Sequence, residues 1–116
     1  MSKMFALVLA AGCFATAGWQ PATAAPACFS SDGWQPTSSG AGIEVWYFHE
    51  PQHISTPEQV TAVVIKKDGS TETLESAIEA GQQVHRFEFP AIPQSAVADV
   101  FFDTPGGRCL VAAPGS

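Results

Sequence analysis

The sequence predicts an all-β protein, a small antiparallel sandwich of about six to seven strands. Short runs rich in β-branched and aromatic residues recur along the chain, and several alternate between apolar and polar positions. Clusters of Gly, Pro, Asp and Ser separate these runs and predict tight turns. Two cysteines, Cys28 and Cys109, stand near the two ends of the strand-forming region, where one disulfide would close it.

The first 24 residues are predicted to be a signal peptide. Lys3 provides a positive charge, an apolar run extends from Met4 to Ala15, and Ala22-Thr23-Ala24 forms a small-x-small cleavage site before Ala25. The apolar run is shorter than the ~20 residues that a membrane-spanning helix needs, so no transmembrane anchor is expected. Cleavage would leave 92 residues in a secreted or periplasmic location.

A lipid anchor is the alternative to simple cleavage. Leu9-Ala10-Ala11-Gly12-Cys13 resembles the lipobox of bacterial lipoproteins, which implies acylation of Cys13. The segment departs from that pattern at Ala10, where a larger aliphatic residue is usual, and it leaves a short apolar run from Met4 to Leu9. Lipidation would account for an odd number of cysteines, with one acylated and two paired.

The region after the leader is acidic. It holds four Lys and Arg residues against eleven Asp and Glu residues, a formal charge of −7. Such a chain repels phosphate backbones and anionic lipid surfaces, so neither nucleic acid nor an anionic membrane is an expected partner. The same charge also serves solubility.

A single disulfide, Cys28–Cys109, is predicted for the mature chain. Only two cysteines remain after cleavage, and an oxidising compartment favours their pairing over the alternative of two free buried thiols. Closing a loop of about 80 residues stabilises a fold by roughly 4.5 kcal/mol in the chain-entropy model. That contribution is large for a domain of this size.

The N-terminal part of the mature chain is predicted to be irregular. Residues 25–42 are rich in Gly, Ser, Pro and Thr and indicate a loop or a short edge strand held by the disulfide. The sandwich itself is predicted over 43–112 and begins with a strand at 43–49, in which alternate residues from Ile43 to Tyr47 share one face.

The next strand is predicted at residues 60–65. Its composition (VTAVVI) outweighs the helix-start signal that precedes it, and Val63 and Ile65 are expected to point into the core. Asp68-Gly69 then predicts a hairpin whose second strand covers 70–75.

Residues 71–80 leave an alternative open. Leu74 and Ile78 lie four apart, and Gly81 is a suitable C-cap, so the segment also fits one amphipathic helix. With that helix the fold would be α+β rather than all-β.

The remaining strands follow at 83–90, 97–103 and 108–112, and the tail 113–116 is expected to be flexible. Phe87, Phe89, Val100 and Phe102 are expected to point into the core, and His85 shares the face of Phe87 and Phe89. Many short strands with Gly and Pro turns in about 90 residues are the profile of an immunoglobulin-like sandwich. The Cys…Trp…Cys spacing of antibody domains is absent.

One motif suggests metal chemistry. His49-Glu50-Pro51-Gln52-His53 spells H-E-x-x-H, which binds zinc when both histidines lie on one turn of a helix. Pro51 would stand inside that helix at a cost of ~3 kcal/mol, so a zinc protease is not expected. A tight turn would still leave His49 and His53, with Glu50 or His85 as a third ligand, as candidate ligands for Zn²⁺ or Cu²⁺.

The aromatic residues Trp34 and Trp46 are the other candidate binding residues. Trp34 lies in a polar segment and is expected to be the more exposed, while Trp46 competes for a place in the core. No further catalytic pattern is present in the sequence: Ser38 to Gly42 is neither a nucleophile elbow nor a phosphate-binding loop.

The sequence therefore favours a secreted or periplasmic, non-catalytic binding module without a cofactor, whose partner is an unidentified protein or carbohydrate. The alternative is a metal-binding protein or metallohydrolase that uses His49, Glu50 and His53. Neither the ligand nor the oligomeric state follows from the sequence.

Overall fold

The computed structural model of the protein describes residues 25–115. The predicted signal peptide, with Cys13, and the last residue of the tail lie outside the described residues. Within the described residues there are seven strands: β1 (Gly33–Pro36), β2 (Ile43–Phe48), β3 (Glu58–Lys66), β4 (Thr71–Ile78), β5 (Val84–Phe89), β6 (Val97–Thr104) and β7 (Gly107–Leu110). Two short 3₁₀ turns, Pro51–His53 and Gln94–Ala96, are the only helical elements in the described part of the chain.

The strands form two antiparallel sheets. The first sheet has the order β1-β2-β5, and the second has the order β4-β3-β6-β7. Inward-facing residues of both sheets belong to one buried cluster. The prediction of a small all-β sandwich is therefore confirmed, and the α+β alternative is wrong.

The pairing of the strands is related to that of a constant-type immunoglobulin domain. Such a domain has sheets with the orders A-B-E-D and C-F-G. Counting the present strands from the C-terminus gives the same two orders, since β7-β6-β3-β4 replaces A-B-E-D and β5-β2-β1 replaces C-F-G. The layers and pairings are thus immunoglobulin-like, while the chain passes through them in the opposite direction.

The core lies between the sheets. In β2 and β5 every second residue faces it. Ile43, Val45 and Tyr47 are buried on one side of β2, and they pair with β5 at Phe89, Phe87 and His85. In the second sheet Phe102 is fully buried, and its ring packs edge-on against Tyr47 at a centroid distance of 5.1 Å. Aromatic rings from both sheets therefore meet in the core.

The inward face of β3 differs from the prediction. Val60, Ala62 and Val64 enter the core cluster, and Val63 and Ile65 belong to the opposite face. The run VTAVVI carries apolar residues at both parities, so its composition does not select a face. Pairing with β6 does select it, because Ala62 lies opposite the buried Phe102.

Residues 71–78 form the edge strand β4 rather than a helix. The Asp68-Gly69 hairpin sets its register: Gly69 has a φ of 91°, and Asp68 Oδ1 accepts hydrogen bonds from the Ser70 backbone N–H (2.8 Å) and hydroxyl (2.6 Å). Leu74 and Ile78 share a face at a spacing of four in a strand as well as in a helix. The pairing with β3 therefore decides the conformation.

The predicted disulfide is confirmed. Cys28 and Cys109 are bonded across 81 residues, with their Cα atoms 4.8 Å apart. Two backbone hydrogen bonds flank it, from Cys28 N to Leu110 O (2.9 Å) and from Leu110 N to Pro26 O (2.8 Å). The N-terminal segment is thus attached to β7 before the chain enters β1.

Among residues 25–115 no helix is long and apolar enough to cross a membrane.

We expect Gly42→Ala to destabilise the fold. A Cβ atom at position 42 would lie 2.5 Å from the carbonyl oxygen of Phe89 and 2.6 Å from the Cα of Pro90, both of them backbone atoms. Relieving that overlap should lower the free energy of unfolding by about 2–3 kcal/mol, measured by chemical denaturation of the oxidised protein. Gly33→Ala is the matched control, since its Cβ would meet nothing closer than 3.8 Å. Equal losses in both variants would contradict the packing at Gly42.

Candidate functional site

A pocket of about 530 Å³ lies at one end of the sandwich, and we call it the end pocket. Its walls come from the N-terminal segment 27–32, from the end of β2 with the connection to β3 (47–58), and from the β6–β7 hairpin (104–109). Phe29, Tyr47 and Phe48 contribute aromatic surface. Three carboxyl groups also line it, those of Asp32, Glu50 and Glu58.

Asp32 is the buried carboxyl group of the end pocket, with a residue exposure of 4%. It immediately precedes β1, and its Oδ1 atom accepts a hydrogen bond of 2.7 Å from the backbone N–H of Phe48, the last residue of β2. Burial raises the pKa of Asp32 to about 7, the Phe48 N–H opposes that rise, and the charge of Glu50 adds to it. Asp32 therefore titrates near neutral pH.

Tyr47 and Glu58 form the second polar contact of the pocket. Tyr47 lies on the inward face of β2, and its hydroxyl donates a hydrogen bond to Glu58 Oε1 at the start of β3. Burial raises the pKa of Tyr47 well above its usual range, and the hydrogen bond to Glu58 and the nearby carboxylates raise it further. The phenol therefore stays protonated and donates its hydrogen to Glu58.

His49 is buried beside Glu58. Its ring is fully buried, and its Nδ1 atom is 3.0 Å from the carbonyl oxygen of Gln82, which can only accept a hydrogen bond. Nδ1 therefore carries the hydrogen. Nε2 is buried without a hydrogen-bond partner and lies 4.0 Å from Glu58 Oε1.

The H-E-x-x-H residues do not share a helix, as Pro51 predicts. Glu50 is extended (φ −65°, ψ 138°), and only Pro51–His53 forms a 3₁₀ turn. His49 is buried, whereas the side chain of His53 is 56% exposed, with its Nδ1 atom 3.9 Å from Glu50 Oε1.

His85, the proposed third ligand, is in β5 and packs edge-on against the ring of Phe87 at a centroid distance of 4.6 Å. Among residues 25–115 no group of three or more His, Cys, Asp or Glu side chains is placed to hold a metal ion. The structure thus does not bring His49, Glu50, His53 and His85 together as one ligand set.

Trp34 and Trp46 occupy opposite environments. The prediction that Trp34 is the more exposed of the two is wrong, because its residue exposure is 8% and it packs in the core as the inward residue of β1. Trp46 is half-buried on the outer face of β2, with the Arg86 guanidinium 5.7 Å from its ring centroid. Of these two residues, Trp46 is the one that retains a surface for a ligand to contact.

Of the residues that line the end pocket, the sequence predicts Cys28 and Cys109 as a disulfide and Glu50 and His53 as candidate metal ligands, and it does not identify Asp32 or Glu58. Asp32, Tyr47 and Glu58 are separated by more than ten residues from one another, and no local spacing links them. The fold brings them together because β1, β2 and β3 end or begin at the same end of the sandwich. An acidic residue directly before an edge strand is the one weak signal that the sequence offers.

The fold and site define a small disulfide-bonded β-sandwich with an acidic pocket at one end. Comparison with protein families, with curated proteins and with solved structures finds no match for this chain. Its role is therefore inferred from its own residues.

We expect Asp32→Asn to become more stable than the wild type as the pH rises from 4 to 8. The folded-state pKa of Asp32 lies at about 7, above its ordinary value of 3.8, so its stabilising contribution is complete below pH 4 and is lost as the pH rises through 7. The difference between the two proteins should grow by up to about 4 kcal/mol, because asparagine still accepts the Phe48 N–H without a charge.

Chemical denaturation at pH 5, 6.5 and 8 measures this difference. Glu88→Gln is the control, because it removes an exposed carboxylate from the outer face of β5. A difference between Asp32→Asn and wild type that does not change with pH would contradict the buried carboxyl.

Proposed function

We propose that the protein is an exported, non-catalytic binding module, held by one disulfide, whose ligand enters the end pocket. The observation that carries this proposal is the pocket itself. A concave site of a few hundred Å³, with mainly apolar walls and a few polar groups in defined positions, is typical of small-ligand recognition. Among those groups the carboxyl group of Asp32 belongs to the most buried residue.

Export is supported by the leader-like N-terminus and by the disulfide. Lys3, the apolar run that follows it and the cleavage signal at Ala22-Thr23-Ala24 direct the chain to an oxidising compartment. The Cys28–Cys109 bond persists in such a compartment. The lipid-anchored form at Cys13 is the alternative location of the same module.

A binding role is favoured over catalysis by the state of the nucleophiles around the pocket. Cys28 and Cys109 are bonded to each other, and the Tyr47 hydroxyl donates to Glu58. His49, the nearest buried base, uses Nδ1 on a backbone carbonyl and contributes no atom to the lining of the end pocket. A nucleophile within reach of a free base is the usual requirement for covalent catalysis.

Export is tested by the mass of the mature protein. When the full chain is produced in a bacterial host and recovered from the periplasm or medium, we expect it to begin at Ala25. Its mass should be two hydrogens below that of the reduced 92-residue chain, because Cys28 and Cys109 are bonded. A mass with acyl chains on Cys13 would support the anchored form. An uncleaved chain in the cytoplasm would contradict export.

Binding at the end pocket is tested by NMR with the ¹⁵N-labelled mature domain and a fragment set that contains cationic, neutral and anionic members. We expect amide shifts to cluster at the pocket walls, 27–32, 47–58 and 104–109. Thr56→Trp should abolish the shifts by filling the pocket, since Thr56 is an exposed wall residue.

Ser39→Trp is the matched control, because Ser39 is exposed in the turn at the other end of β2. Shifts that are scattered, or that survive Thr56→Trp, would contradict a ligand site in the end pocket.

A further inference from the structure

Each sheet of the sandwich has one edge that other parts of the described chain occupy and one that they do not. At the edge of β1 the N–H of Trp34 donates to the carbonyl oxygen of Ala112 (3.1 Å), and the segment 26–28 bonds to the edge of β7. β4 and β5 are the outermost strands at the remaining ends of the two sheets, and among residues 25–115 no strand pairs with their outer edges. Such an edge is a template for pairing with a further strand.

The hydrogen bonds between β2 and β5 show which backbone groups of β5 point outward. The N–H of His49 donates to the carbonyl oxygen of Gln83 (2.9 Å), one position beyond the end of the paired strands. Because hydrogen-bonded and non-hydrogen-bonded pairs alternate along an antiparallel ladder, every second residue of β5 bonds to β2 and the others point away. The N–H and C=O groups of Val84, Arg86 and Glu88 are therefore directed at the open edge.

Arg86 and Glu88 give this edge a charge pattern that complements itself. Their side chains share the outer face of the sheet, are 47% and 52% exposed, and lie 3.5 Å apart between Arg86 Nη1 and Glu88 Oε2. If two copies of β5 pair antiparallel about a two-fold axis, outward groups meet only when the axis passes through a residue position. An axis at Phe87 places Arg86 of each copy opposite Glu88 of the other, whereas an axis at Arg86 or Glu88 places like charges opposite each other.

The hydrogen bonding of the edge matches the axis at Phe87. The C=O of Val84 already accepts a hydrogen bond from Gln82 Nε2 (3.1 Å), and no hydrogen bond from residues 25–115 reaches the other outward carbonyl groups of β5. With the axis at Phe87, Val84 faces Pro90 of the second copy, which has no N–H to donate. The carbonyl group that is occupied within the chain is thus the one that this register leaves without a donor.

The β4 edge has no comparable pattern. Its charged residues are the carboxylates Glu72 and Glu75, and it contains no cationic residue. Pairing of two β4 strands would therefore add carboxylate charge without an opposite charge across the junction. β5 contains neither a proline nor a β-bulge, two of the features by which sheet edges are protected from pairing.

We propose that the β5 edge is a docking surface for a second copy of this chain, with the two β5 strands antiparallel and the two-fold axis at Phe87. Arg86 of each copy forms a hydrogen-bonded backbone pair with Glu88 of the other, and their side chains form an ion pair across the junction. The two three-stranded sheets then continue as one sheet of order β1-β2-β5-β5-β2-β1. This surface is separate from the end pocket, whose walls contain no residue of β5.

The net charge of the mature chain sets the conditions for the test. Four basic and eleven acidic residues give a formal charge of −7, which opposes association of two copies. At about 0.15 M salt the screening length is about 8 Å, so repulsion between distant charges is largely removed. Directly opposed side chains of paired strands are about 5 Å apart at Cβ, and their attraction is screened less.

Dilution of the oxidised mature domain tests for the dimer. Sedimentation velocity and ¹⁵N NMR spectra are recorded between about 10 µM and 1 mM protein at about 0.15 M salt. We expect a monomer–dimer equilibrium within this concentration range, because a junction of one short strand from each copy is a small interface. The amide shifts that change with concentration should lie at 84–89 and not at 71–78.

Charge reversal tests the register. Glu88→Arg and Arg86→Glu should each weaken the dimer by about tenfold or more, because each places like charges opposite each other in both cross-strand pairs. An equimolar mixture of the two variants should recover the dimer, since the heterodimer again has opposite charges at both positions. Glu75→Arg on β4 is the matched control, which changes the net charge as much as Glu88→Arg does and should not weaken the dimer.

Thermal melts of the variants verify that each is folded. Arg86→Glu also removes the contacts of Arg86 with Glu44 (3.3 Å) and with the ring of Trp46, so Glu88→Arg, which keeps them, carries the test if Arg86→Glu alters the fold. A dimer that is as strong in Glu88→Arg as in the wild type, or folded variants whose mixture stays monomeric, would overturn the register centred on Phe87.

A wild-type chain that stays monomeric at about 1 mM would overturn the proposal that a second copy occupies the β5 edge. The occupant of that edge would then have to be an extended segment of another protein. Neither result bears on the ligand of the end pocket, because that ligand is detected by shifts at 27–32, 47–58 and 104–109.

Discussion

The Cys28–Cys109 disulfide is the interaction on which the end pocket depends. It fixes a segment that precedes the first strand against β7, the last strand, across 81 residues of chain. The two backbone hydrogen bonds beside it, Cys28 N–H to Leu110 O and Leu110 N–H to Pro26 O, together form the bridge between Ala27 and Leu110. That segment carries Phe29 and Asp32, so one wall of the pocket is positioned by a covalent bond. The loop-closure term of about 4.5 kcal/mol is comparable to the whole stability of a small domain.

The fold could be predicted from the sequence where one face of a strand is apolar and the other is not. In β2 and β5 the alternation from Ile43 to Tyr47 and from His85 to Phe89 identified both the strand and its inward face. In β3 the valines occupy both faces, so composition predicted a strand and the wrong face. β4 is an edge strand with little burial, and its spacing of four fits a helix equally well, so only pairing with β3 determines it.

The candidate site could not be predicted in the same way, because its residues are distant in sequence. A local motif, H-E-x-x-H, drew attention to His49 and His53, and the backbone at Pro51 directs these two side chains to different environments. The contacts that form the end pocket, such as Phe48 N–H to Asp32 and the Tyr47 hydroxyl to Glu58, join separate strands. Such contacts follow from topology and register, which a pattern of residue types within one strand does not contain.

The choice of aspartate at position 32 is an argument for the proposed ligand of the end pocket. Its structural task is to accept one hydrogen bond from Phe48 at the end of β2, and an asparagine oxygen would do the same without a buried charge. The carboxyl group costs stability at neutral pH, since burial raises its pKa to about 7 and Glu50 adds repulsion. A structural role alone does not explain that cost. A ligand that donates a hydrogen bond to Asp32 in the end pocket, as we propose, would offset that cost.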